Sequence, residues 1–102
     1  MKKCCEEYLN EQFGGDADVI GEIYGEYVAS VNVKIAEAES LLKVGDWQPF
    51  DHAVHTIKGN ALAAGDREMA DVAIALRKAA ALKDSEEGAR LVAAMKGFAQ
   101  GL

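Results

Sequence analysis

Little in this sequence could fasten a fold from outside its own packing. Cysteine occurs twice, at Cys4 and Cys5, and adjacent thiols neither staple distant segments nor match a zinc or redox spacing. They read as small side chains of a short N-terminal helix. Proline occurs once, so helices can run long. Aromatic residues make up only 7%, and the bulk comes from alanine, leucine and valine, which disfavours a β-sandwich. Basic residues are in deficit, 11 against 17 acidic, for a net charge of −6. A nucleic-acid partner is thereby disfavoured, since phosphates call for a basic surface. No apolar run is long enough to span a bilayer, and the N-terminus lacks a signal peptide's apolar stretch, so no membrane partner is expected and a cytoplasmic location is the default expectation.

What is present is helical periodicity. At 102 residues the chain is expected to be one small domain over 1–102. Residues 3–13 read as a short helix with Cys5, Leu9 and Phe13 along one side, stopped by Gly14 and Gly15. Asp16 or Asp18 can cap a long second helix from about Ala17 to Val44, whose stripe is Ile20, Ile23, Tyr27, Val31, Ile35, Ala38 and Leu42. Gly45 ends it. Asp46 then reads as an N-cap, with Pro49 in a first turn that can spare its N–H. The third helix carries Trp47, Phe50, Val54, Ile57, Ala61 and Ala64 inward, and Gly65 ends it. Asp66 can cap a fourth helix with Met69, Val72, Leu76 and Ala80 inward. Asp84 opens a fifth, with Glu87 placed for a capping box and Leu91, Met95, Phe98 and Leu102 as its stripe. The short connections imply antiparallel neighbours. The expected fold is all-α: an antiparallel four-helix bundle with a short extra N-terminal helix.

The third helix carries the residues with chemistry to offer. On a helical wheel centred on its apolar stripe, His55 points away from the core. Asp51 lies one turn before it, Lys58 and Gly59 one turn after, and Gln48 and Leu62 two turns away on either side. A neutral imidazole is a good nucleophile near neutral pH. A cation at i+3 can offset the charge of a phosphoryl group. A glycine mid-helix costs roughly 1 kcal/mol against alanine, so Gly59 asks for a reason. Close helix packing is one candidate, but Gly59 falls on the outward face. Room for a phosphoryl group and an approaching partner is the other. His52 has no Lys-Gly at the right spacing and reads as an ordinary surface histidine.

The run Ala53-Val54-His55-Thr56-Ile57-Lys58-Gly59-Asn60-Ala61, with Gly65 beyond it, resembles the signature of histidine-containing phosphotransfer (HPt) domains. The likeness extends to Leu9–Phe13 with Gly-Gly-Asp, to the long second helix, and to the Gly-Asp-Trp turn before the motif. It implies that His55 carries a phosphoryl group, on Nε2, assisted by Lys58 and Gly59, in a carrier with no kinase activity and no cofactor of its own. It also implies two partners: a response-regulator receiver domain, which supplies the acceptor aspartate and its magnesium ion, and an upstream hybrid sensor kinase. Gln48, Asp51, Leu62 and Arg77 are the candidate partner-binding residues.

Two positions depart from the family pattern. Ala64 replaces a larger apolar residue before the final glycine, for which only a local packing change is expected. Arg77 stands where the family commonly has a glutamate or glutamine able to hold the far nitrogen of the histidine, and an arginine cannot accept that proton. Arg77 could lean toward His55, where its charge would disfavour a second one on the imidazole, or point away and pair with an acid. A docking-only pseudo-phosphotransfer domain therefore stays open. A metal-binding bundle built on His52 and His55 is the other alternative, although bundle metal sites use inward Glu-x-x-His pairs, which this chain lacks.

Overall fold

The threes-and-fours spacing resolves into five helices in the computed structural model, which describes all 102 residues. They are α1 (Lys3–Phe13), α2 (Ala17–Val44), α3 (Trp47–Ala64), α4 (Arg67–Ala81) and α5 (Ser85–Gln100). Helices α2 to α5 close a ring, α2 on α3, α3 on α4, α4 on α5 and α5 back on α2, while α1 lies against α2 and α3. The 28 residues of α2 should span about 42 Å at ~1.5 Å each. The molecule's long dimension is 42 Å, so α2 sets it.

Asp16, Asp66 and Asp84 cap α2, α4 and α5, each accepting from the backbone N–H three residues on, at Val19, Met69 and Glu87. Asp46 occupies the same position before α3 but makes no cap bond. The reason is Pro49. It stands three residues after Asp46, where the other caps find their donor, and it has no N–H to give. The proline that looked harmless in the first turn removes the cap. The capping box at α5 is also only half formed: the Asp84 N–H donates to Ala79 O at 2.9 Å, and the Glu87 carboxylate turns instead to Arg90, at 2.7 Å from its Nε.

The expected stripes form the core, with Phe50, Leu9, Ile57, Met69, Leu76 and Met95 fully enclosed. Phe13 is a correction. It is exposed, because α1 ends there as the chain turns away through Gly14. Ile23, Leu42, Trp47, Phe98 and Leu102 pack at the margin of the core rather than inside it. Ala64 is buried, and beside it a shallow hollow opens, lined by Ile23, Tyr27 and Asn60.

One buried charge ties α1 to the bundle. Asp66 is wholly enclosed and accepts from Tyr27 Oη at 2.6 Å and from Lys2 Nζ at 2.8 Å, besides capping α4. Lys2 also reaches Glu68. Burial pushes the Tyr27 phenol well above its usual range, and the Asp66 carboxylate adds to the effect. For Lys2, burial works downward, but the bonds to Asp66 and Glu68 together outweigh it and hold the ammonium charged. Gly65, at φ +74°, ends α3 in the left-handed conformation and also gives α1 its seat: a Cβ there would collide with the Cβ of Tyr8.

Candidate functional site

Five residues of α3 form one exposed strip because the opposite face of the helix is committed to the core. Phe50, Ala53, Val54, Ile57 and Ala61 are buried, which turns Gln48, His52, His55, Gly59 and Leu62 to solvent. His55 is at mid-helix, as the wheel requires. Lys58 is half-buried and has no ion-pair partner, so its ammonium is available to an incoming anion. The space above Gly59 is open: a Cβ built there meets nothing within 4 Å. Close helix packing therefore does not explain this glycine.

Arg77 leans toward His55 rather than pointing away, and it pairs with an acid from that position. It reaches across from α4 and grips Asp51 side-on, Nε to Oδ1 at 3.0 Å and Nη2 to Oδ2 at 3.2 Å. Its remaining Nη1 lies 3.1 Å from His55 Nδ1. The Asp51 carboxylate raises the pKa of the guanidinium, so the group is a permanent cation. His55 makes no other hydrogen bond to the protein, which leaves Nε2 without a protein partner. Asp51, expected as part of the open strip, is engaged in this fork.

Two shallow hollows flank the strip. One is lined by Gln48, Pro49, Asp51, His52, His55 and Arg77 and holds no large hydrophobic side chain. The other lies between α3 and α4 and includes Trp47, Lys58, Ile74, Arg77 and Lys78. The sequence reading missed Ile74. It is 42% exposed on α4, three residues before Arg77, and extends the apolar surface begun by Leu62, which is 54% exposed. The signal was its place off the inward stripe of Met69, Val72, Leu76 and Ala80.

The histidine pair belongs to no cluster able to share an ion. The one group of three such ligands is elsewhere: Cys4, Cys5 and Asp66, with ligand atoms within 4.8 Å of one another. There the Lys2 ammonium already sits on Asp66, and burial, aided by the Asp66 charge, pushes the Cys5 thiol up to about 12. A thiol so held is a poor ligand, because metal binding needs the thiolate.

The fold and the strip together define an all-helical bundle that presents one imidazole beside a cation and a bare turn of backbone. The sequence model of the Hpt domain family matches residues 22–101, and the chain belongs to that family. Its role is accordingly phosphotransfer in two-component signalling, where Hpt domains work with receivers and kinases and are themselves carriers, not kinases. No curated protein and no solved structure matches the chain. No helix is long and apolar enough to cross a membrane.

Proposed function

We propose that this protein is a phosphorelay intermediate that takes a phosphoryl group on His55 and exchanges it with an aspartate of a response-regulator receiver domain. A hybrid sensor kinase stands upstream, and the chain itself catalyses no ATP-dependent step. The observation that carries the reading is the exposure of His55 at mid-helix with Lys58 and the open turn at Gly59 beside it. In the forward step the Nε2 lone pair attacks phosphorus, the P–O bond to the aspartate breaks, and its electron pair returns to the carboxylate. Lys58 offsets charge on the phosphoryl oxygens, and Gly59 leaves room for the receiver. Gln48, Leu62 and Ile74 form the rim on which the receiver docks, with Asp51 and Arg77 at its centre. The contact is modest in area, since a carrier must release its partner after each transfer.

The test is phosphoryl transfer from a panel of phosphorylated receivers. Wild type and His52→Gln take up label in a linkage stable to base and labile to acid, and His55→Gln takes up none. Label retained in His55→Gln would place the site elsewhere. One observation favours the docking-only reading: Arg77 donates to Nδ1, which leaves the proton of a neutral ring on Nε2. Receiver binding without any transfer, under conditions where His55 is intact, would establish that second reading.

A further inference from the structure

A guanidinium has five donors and no acceptor. With Arg77 Nη1 at 3.1 Å, Nδ1 of His55 must present its lone pair, so the neutral ring carries its hydrogen on Nε2. The fork to Asp51, 3.0 and 3.2 Å, fixes the guanidinium plane and so the direction of that third bond. Asp51 and His55 are one turn apart on α3, so Arg77 bridges a turn of the helix that bears the acceptor.

The two forms of the ring meet this arm differently. To attack phosphorus, Nε2 needs a lone pair, which requires the hydrogen on Nδ1, where Arg77 now points a donor. After transfer the position reverses. Nε2 is bonded to phosphorus, the Nδ1 hydrogen has gone to solvent, and Nδ1 again offers a lone pair that Arg77 can engage without moving. Loss of the phosphoryl group to water is fastest when Nδ1 is protonated. Water oxygen then bonds to phosphorus, the P–N bond breaks with its pair passing to Nε2, and the leaving group is neutral imidazole rather than its anion. Arg77 opposes that protonation twice, by occupying the lone pair and by its charge.

The geometry points to Arg77 as a positioning residue that, anchored on Asp51, disfavours the attacking tautomer of His55 and preserves the phosphorylated ring against hydrolysis. The domain is thus a slow acceptor and a durable store of phosphoryl groups, and a receiver that draws Arg77 off Nδ1 speeds both directions of exchange. The other charged or titratable groups lining the two hollows that meet at Arg77 are Asp51, His52 and Lys58 on α3 and Lys78 on α4; α1 and α2 line neither hollow. Lys58 cannot substitute for Arg77 here, because it is fixed to no carboxylate and has no bond to Nδ1.

The inference rests on the phosphoryl-carrier reading, and the experiment separates the two. Wild type, Arg77→Gln, Arg77→Lys and Asp51→Asn are phosphorylated with phosphoramidate, which needs no receiver. Loss of phosphohistidine is followed against pH, and ring nitrogen shifts of unphosphorylated His55 are read by NMR. Wild type should show the hydrogen on Nε2, and Arg77→Gln should move it toward Nδ1. The phosphorylated Arg77→Gln protein should hydrolyse several-fold faster at neutral pH. Arg77→Lys should recover part of the effect, since an ammonium can donate to Nδ1 but cannot also make the fork. Asp51→Asn should fall between. Superimposable pH profiles with unchanged tautomers would overturn the role of Arg77. Failure of every protein, wild type included, to form phosphohistidine would overturn the carrier reading, while the tautomer shifts would still report on the Arg77 bond.

Discussion

Removing one oxygen atom, by Tyr27→Phe, tests how the bundle keeps its buried charge. Tyr27 is 5% exposed and its hydroxyl donates to Asp66 Oδ2 at 2.6 Å, while Asp66 itself has no exposed surface. The ring stays, so no large cavity opens. What is lost is a hydrogen bond to a charged group, worth about 1.5–3 kcal/mol when its partner stays buried. Lys2 and the Met69 N–H still hold Oδ1, so Oδ2 alone is orphaned and about 2 kcal/mol is expected. For a domain of this size that is roughly 8–16 °C in Tm. Urea denaturation followed by far-ultraviolet circular dichroism measures it, with an unchanged slope showing that the unfolded state is not the source. In an Asp66→Asn background the same change should cost under about 1 kcal/mol, because the acceptor is no longer charged. A cost below about 0.5 kcal/mol in the Asp66 protein, typical of an open surface, would refute the view that this bond stabilises a buried carboxylate.

Gly59→Gln should raise helix stability by up to about 1 kcal/mol yet slow transfer from a receiver, because the side chain fills the open turn beside His55; transfer at the wild-type rate would show that the receiver docks elsewhere. Gly45→Ala and Gly65→Ala both place a Cβ at positive φ, +71° and +74°, for about 1–2 kcal/mol each, but only the second meets Tyr8. Gly65→Ala should therefore be the more destabilising, and equal midpoints in urea would mean that α1 yields freely. Stability should fall as pH rises above 9.0, the ordinary value for the Cys5 thiol, and keep falling to about 12, where the folded thiol ionises. The unfolded chain sheds that proton first, so each pH unit in the window costs the fold up to about 1.4 kcal/mol. Cys5→Ala should flatten this limb below 10.0, the ordinary value for the Tyr27 phenol, above which the raised Tyr27 and Lys2 add their own slope; an unchanged slope below 10.0 would assign it to other groups.

The five helices and the outward face of α3 could be read from the sequence because their causes are local. A stripe of threes and fours, an aspartate before it and a glycine after it act within a few residues. His55, Lys58 and Gly59 share a face for the same reason. Even a local rule can miss a local exception, as Asp46 does, where the proline three residues on removes the donor that its neighbours in the pattern rely on. The remaining features lie between segments far apart in the chain. Arg77 meets Asp51 across 26 residues, Tyr27 meets Asp66 across 39, and Lys2 meets Asp66 across 64. Periodicity sorts residues into inward and outward but does not say which outward arginine finds which carboxylate. Asp66 read as a cap and is one, but its burial depends on Lys2, just before α1, and Tyr27, on α2, arriving against it. The tautomer of His55 was beyond the sequence for the same reason: a ring nitrogen takes its proton state from whatever the packed helices bring within about 3 Å.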